Sequence, residues 1–362
     1  MDRRDELHQK FGKLPLRSVL APALRYAKQG FPVTYAIAYG WAIGVRHARL
    51  DQFPCAFLDT FVPGGHAPTE GQIFKNPALA RTLSLIGRHG RDAFSRGAIA
   101  VKYDAFLHAN GAFRRHADLE KHTSTWGDPV AVNSRGYAVY KLPPNRQGLA
   151  ALQMLTILEG FDLATWVYNS PDALHTLIEA KPLAFADRAK SYAAERRKLI
   201  GARAAQPHDS GPPALRAGDT IDLCTADSAG HRVSLIQSND RGMGSGIVPP
   251  DLGFAFQDRG ERCTLEPGQP NIHAPGKRPF QTIIPGFVLE DGRPREAFGL
   301  MGGGMPPPSP VQVLVNQIDF GMNLREAGDA AHGQHEGSSE PTGEKMRDSA
   351  PVQVENGVPD EA

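Results

Sequence analysis

Few residues of this 362-residue chain stand in a spacing that does chemistry by itself. The chain holds no Gly-x-x-x-x-Gly-Lys-Ser/Thr phosphate loop, no His-Glu-x-x-His metal pair and no Gly-x-Ser-x-Gly nucleophile elbow. His332 and His335 are three apart, but they lie in a polar tail without a third ligand, and solvated side chains account for them. Glu195-Arg196-Arg197-Lys198 reads as a solvated helix face. Thr220 is more informative, because it opens a β pattern directly after the longest linker. A hydroxyl nucleophile there needs donors for the negative charge that develops on an attacked carbonyl. Gly302-Gly303-Gly304 supplies candidates: backbone N–H groups just past a strand, with no side chains in the way. A tight strand-to-helix turn before Pro306-Pro307-Pro308 explains the same glycines, and threonine is a common strand residue. On spacing alone both readings stand.

The elements that would position these residues change character along the chain. Residues 17–200 read mostly as helix, with helices expected over 76–87, 92–109, 147–160 and from 170 onward, where Pro182 should break or kink the run. Leu149, Leu152, Leu155 and Leu158 recur at spacing three, a buried stripe. One strand pair, 130–134 and 137–142, turns at Arg135-Gly136. Residues 204–219 form a linker rich in Pro and Gly. Strands follow at 220–226, 232–237, 253–257, 281–289 and 297–301, then a helix from 311 to about 327. The order predicts an α+β fold. It divides the chain into 1–219, 220–327 and a polar tail, 328–362, expected to be poorly ordered.

Composition narrows the classes. With 40 Lys+Arg against 39 Asp+Glu, a net charge of +1 excludes a general nucleic-acid binder. No stretch is apolar enough to span a membrane, and no apolar run follows the charged start as a signal peptide would require; the compartment stays open. Three distant cysteines make neither a disulfide framework nor a zinc site. The 38 Gly and 30 Pro exceed the usual shares of about 7% and 5%, which points to many tight turns or close backbone approaches.

Several ordered pieces resemble the γ-glutamyltranspeptidase family. They are Asp-Thr-x-x-Leu-Cys at 219–224, Ser-Leu-Ile-Gln-Ser at 234–238, Gly-x-Gly-Ser-Gly at 242–246 and Ala-Pro-Gly-Lys-Arg-Pro at 274–279. Met-Gly-Gly at 301–303, Asn-x-Ile-Asp-Phe-Gly-Met-Asn at 316–323 and Gly-Ser-Ser-Glu-Pro-Thr-Gly-Glu at 337–344 follow. The helical half is similar at Leu142-Pro143-Pro144-Asn145 and Asn76-Pro77. The resemblance implies an αββα sandwich of the N-terminal-nucleophile hydrolases and self-cleavage between Asp219 and Thr220 into a large and a small fragment. It implies Thr220 as nucleophile, with its freed α-amine, of ordinary pKa about 7.7–8, as base. Gly302 and Gly303 would form the oxyanion hole, Ser238 would support the nucleophile, and Gln281, Thr282, Asp240 and Glu261 would bind substrate. The substrate implied is a small glutathione-like amide, the acceptor an amino acid, a peptide or water, and no cofactor or metal is required.

Some positions depart from the family pattern. Arg262 stands where members hold an aspartate for the substrate α-amino group, and an arginine repels an ammonium. Gln281-Thr282 replaces a serine pair, Ile221-Asp222 follows the nucleophile, and Arg146 interrupts a Gly-Gln-Gly run. The chain also looks short at both ends relative to the family, before residues 11–15 and after 357–359, so an incomplete sandwich with unpaired sheet edges is expected. Two alternatives follow: an acylase for another amide, such as a β-lactam side chain, and a truncated, inactive homologue.

Overall fold

Capping residues and apolar periods build the first of two units, Met1–Trp126 with Arg241–Asp258, mainly from helices. The structure is a computed structural model that describes residues 1–48, 55–186, 219–240, 242–269, 271–300, 308–335 and 352–358. The first unit runs α1 (Asp2–Phe11), α2 (Leu16–Gln29), β1 (Phe31–Pro32), α3 (Tyr35–His47), α4 (Phe57–Phe61), β2 (Ile73–Phe74), α5 (Pro77–Ser95), α6 (Ala98–Ala109) and α7 (His116–Lys121). Asn76 caps α5: its Oδ1 accepts from Leu79 N at 2.9 Å, and Pro77 fills the first turn, where a missing N–H costs nothing. The helix is longer than its pattern and passes a kink at Gly90, whose φ of 61° is left-handed. Gly253 packs so tightly on the start of α5 that a Cβ would stand 2.2 Å from Leu79 N. The core joins Ile86, Ile99, Tyr103 and Leu107 to Leu252, with Phe254 and Phe256 against it. That packing explains why 253–257 is an irregular segment rather than the expected strand. Its backbone is tied instead through Ser245 N and Phe256 N, which donate to Phe256 O and Ile247 O.

The second unit, Gly127–Asp240 with Arg259–Ala362, carries the sheets. Its elements are β3 (Val130–Ser134), β4 (Tyr137–Lys141), α8 (Gly148–Leu158), α9 (Pro171–Ala186), β5 (Asp219–Ala226), β6 (Arg232–Asp240), β7 (Gly286–Glu290), β8 (Arg293–Phe298), α10 (Pro308–Ile318), α11 (Leu324–Asp329), β9 (Gly333–His335) and β10 (Val352–Val354). Strands β3-β4-β7-β8 form an antiparallel sheet, and β5 pairs with β6 as a separate antiparallel hairpin. The β3–β4 turn is where the sequence places it, with Arg135 and Gly136 both at positive φ. The Arg135 guanidinium donates to the carbonyls of Leu158, Glu159 and Phe161 and pairs with Asp319 at 2.9 Å, so the turn residue also closes the C-terminal end of α8. Of the expected stripe Leu152, Leu155 and Leu158 are buried and Leu149 is half-buried, while Ala151, Met154 and Ile157 are buried as well; the three leucines pack with Val139, Val288, Leu183 and Leu314 in one core.

Other elements differ from their expected bounds. Helix α9 runs through Pro182 to Ala186; burial of Ala180, Leu183 and Ala184 offsets the lost backbone bond. The expected strand at 281–289 narrows to β7, and that at 297–301 is shifted to β8, an edge strand that tolerates Pro294. Part of the polar tail is structured: β9 pairs with β10, and Gln312 exchanges two hydrogen bonds with the Gly333 backbone. His335 is accordingly not a solvated tail residue. Burial and the neighbouring Lys181 push its imidazole down to about 4.

Candidate active site

The residue that could act as nucleophile is the second of strand β5. Thr220 is 8% exposed, and its Oγ1 donates to Ser238 Oγ at 2.9 Å across the hairpin. Register explains the pairing, since Thr220 lies opposite Ser238. One step earlier the register shifts, Asp219 facing Asp240, so that Asn239 is an extra residue on β6. Such a bulge re-aims side chains at a strand end. Asp240 completes it with a φ of 83°, uncommon for a residue with a side chain. Its N–H donates to Ser238 Oγ at 2.9 Å. Ser238 thus accepts from both the Thr220 hydroxyl and a fixed backbone amide, which holds the two hydroxyls in one geometry.

The Asp240 carboxylate points into a cationic clamp. The short 3₁₀ turn Arg259–Arg262 places both arginines on it, Arg259 Nη1 at 2.6 Å and Arg262 Nε at 2.8 and 2.9 Å from the two oxygens. Asp240 is 2% and Arg262 1% exposed, so these are desolvated, charge-assisted contacts. Arg259 Nη1 also donates to Thr282 Oγ1 at 2.7 Å, and Asn271 Nδ2 donates to Arg262 O at 2.6 Å. Gln281 is held by its backbone, its N donating to Asn145 O and its O accepting from Gln147 N.

A continuous line of contacts therefore joins Thr220, Ser238, Asp240, Arg259, Arg262 and Thr282, with Gln281 beside Thr282. Glu261 lies on the same turn with an exposed side chain. Gly302 and Gly303 lie outside the described residues, and of the cleavage position only Thr220 and the backbone of Asp219 are described. Arg259 was absent from the sequence-based candidates. Its only signal is the three-residue spacing to Arg262, which a helical turn brings to one side. Among the described residues no group of three or more His, Cys, Asp and Glu side chains could hold a metal ion, and no helix is long and apolar enough to cross a membrane.

This geometry has relatives. The sequence pattern of the family described as Gamma-glutamyltranspeptidase matches residues 3–362. The glutathione hydrolase-like YwrD proenzyme of Bacillus subtilis (strain 168) is 33% identical over 350 residues, covering 90% of this chain and 64% of that protein. An Acylase ACY 1 proenzyme of Pseudomonas sp. (strain SE83) is 33% identical over 340 residues, covering 89% of this chain and 60% of its own. Among solved structures, a cephalosporin acylase from Bacillus halodurans superposes with a TM-score of 0.86 at 36% identity, covering 98% of this chain and 66% of that one. The chain thus spans about three fifths of the length of these curated relatives.

Proposed function

Since the chain belongs to the gamma-glutamyltranspeptidase family, with the α+β fold of the N-terminal-nucleophile hydrolases, we propose that it is a proenzyme that cuts itself before Thr220. Thr220 then transfers or hydrolyses a γ-glutamyl or related acyl amide. The observation that carries this reading is the buried hydroxyl pair, Thr220 Oγ1 to Ser238 Oγ at 2.9 Å, at the start of a strand beside a bulge. In the first step Thr220 Oγ attacks the Asp219 carbonyl carbon, and the acyl group moves from nitrogen to oxygen as an ester. Water then hydrolyses that ester, leaving a carboxylate on Asp219 and a free amine on Thr220.

In turnover the amine takes the proton from Oγ as the oxygen adds to the substrate amide carbon. Ser238 keeps Oγ oriented, and the oxyanion falls to the Gly302 and Gly303 N–H groups, which the family resemblance assigns to that role. The proton passes to the leaving amine, and the acyl group goes on to an amino acid, a peptide or water. The two fragments of the one chain remain partners, and the small-molecule amide is glutathione-like in the leading form of the reading.

A second reading, an acylase for an amide whose acyl group lacks an ammonium, is favoured by the Asp240 clamp. Arg262, which stands where the family resemblance places an aspartate for the substrate α-amino group, pairs with Asp240, and an arginine there disfavours an ammonium and favours a carboxylate or an uncharged group. Intact mass after incubation at neutral pH tests both readings: two fragments divided between Asp219 and Thr220 support them, and an uncut chain favours an inactive homologue. Competition between a γ-glutamyl amide and the corresponding glutaryl amide, which lacks the amine, then separates them.

A further inference from the structure

Lys141 closes β4 with 1% of its surface exposed. Its Nζ donates to the Ile284 carbonyl at 3.1 Å and stands 3.8 Å from the centre of the Phe298 ring. Gly286 makes room for it, since a Cβ there would lie 2.6 Å from Nζ. A matching recess receives Asp222: a Cβ on Gly299 would lie 2.5 Å from Asp222 Oδ1. Residues 298 and 299 thus carry the lysine on one side and the aspartate on the other. Strand alternation places Asp222 on the same face of β5 as Thr220, two residues away. The acyl-transfer chemistry proposed above uses neither Lys141 nor Asp222.

We propose that Lys141 is a positioning residue for Thr220: its ammonium attracts Asp222, and with it the nucleophile-bearing end of β5, toward the four-stranded sheet. The inference rests on the reading of Thr220 as nucleophile. The titratable groups acting on Lys141 are Asp222 and Cys224 from β5 and Glu296 from β8, with the Phe298 ring and the Ile284 carbonyl as its uncharged neighbours. Asp222 and Glu296 attract it through a low-dielectric interior, where charges are screened far less than in water. Burial pushes Lys141 down to about 7 and pushes the Asp222 and Glu296 carboxyls and the Cys224 thiol up. The attraction therefore needs Asp222 ionised and Lys141 protonated: it is lost in acid as the carboxylate gains its proton and fades above about pH 7 as the lysine loses its own. The Thr220 amine runs the other way, becoming a competent base as pH rises.

The test compares the full chain with Lys141→Met, Asp222→Asn and the double variant. Each single change should slow self-cleavage and kcat about tenfold near pH 6 but only about twofold near pH 9, and the double variant should be no slower than the worse single one. Lys141→Met should lower the denaturation midpoint, because Asp222 and Glu296 lose their counter-charge, so rates are compared per folded molecule and the pH dependence of the ratio separates lost positioning from lost stability. A rate ratio that does not change with pH, or effects that simply multiply, overturns the proposal. A readout independent of activity is the Thr220 methyl resonance in labelled protein. Beside the step of the Thr220 amine itself at about pH 8, it should show a second step near pH 7 that Lys141→Met removes. If the chain neither cleaves itself nor turns over but this step is present, the enzymatic reading falls and the positioning by Lys141 stands. If the wild-type chain and Lys141→Met show the same titration of this resonance, the positioning is overturned whatever the activity.

Discussion

The two β structures of the second unit are held by different forces. In the sheet β3-β4-β7-β8, Val139 and Val288 are cross-strand partners with 0% and 1% exposure, covered by the helices that share their core. Burial supplies that stability, and it is tolerant of small shifts because it has no direction. In the hairpin β5–β6, Ile221 and Leu223 keep more than half of their surface exposed. What fixes the hairpin end is directional instead: one hydroxyl pair, one bulge and one carboxylate between two arginines. A packed sheet serves as a platform, whereas a nucleophile needs an orientation that only directional contacts supply.

Changes on the two sides of this contrast should therefore fail differently. The largest effect falls on Thr220→Ala, which should leave a folded, uncut chain with no detectable turnover, read by intact mass, and should lower stability by only about 1 kcal/mol for the lost hydroxyl pair. Leu152→Ala comes next, costing about 3–5 kcal/mol of stability by opening a cavity in the sheet core. Denaturant unfolding should show the loss, while the kcat of the remaining folded fraction stays near wild type. Arg262→Met should cost less stability, about 2–3 kcal/mol, since Arg259 still pairs with the buried Asp240. Its kcat should nevertheless fall more than that of Leu152→Ala, because Asp240 N–H positions Ser238. Leu223→Thr, on the exposed face of the hairpin, should change stability by about 0.5 kcal/mol or less. If it destabilises as much as Leu152→Ala, the contrast between the two β structures is wrong.

Much of the platform is legible in the residues themselves. The leucine period of α8, the Arg135-Gly136 turn and the Asn76-Pro77 helix start are local signals, each decided within a few residues by backbone geometry. Whether Pro182 breaks its helix is settled the opposite way, by an environment far away in sequence, where burial outweighs one missing hydrogen bond. Gln312 on α10 likewise meets the Gly333 backbone across a gap in sequence that no local pattern bridges.

For the site, the division is similar. The sequence by itself placed a threonine at the head of a strand, while Ser238 entered only through the family resemblance and lay one residue past the strand expected at 232–237. Tertiary structure decided that Asp240 meets Arg259 and Arg262, and that Lys141 and Asp222, on strands of different sheets, flank the same backbone. Period and propensity report which face of an element is buried. They do not report which charged groups on distant elements share that interior, because pairing of buried charges is settled by where the packed backbone leaves room.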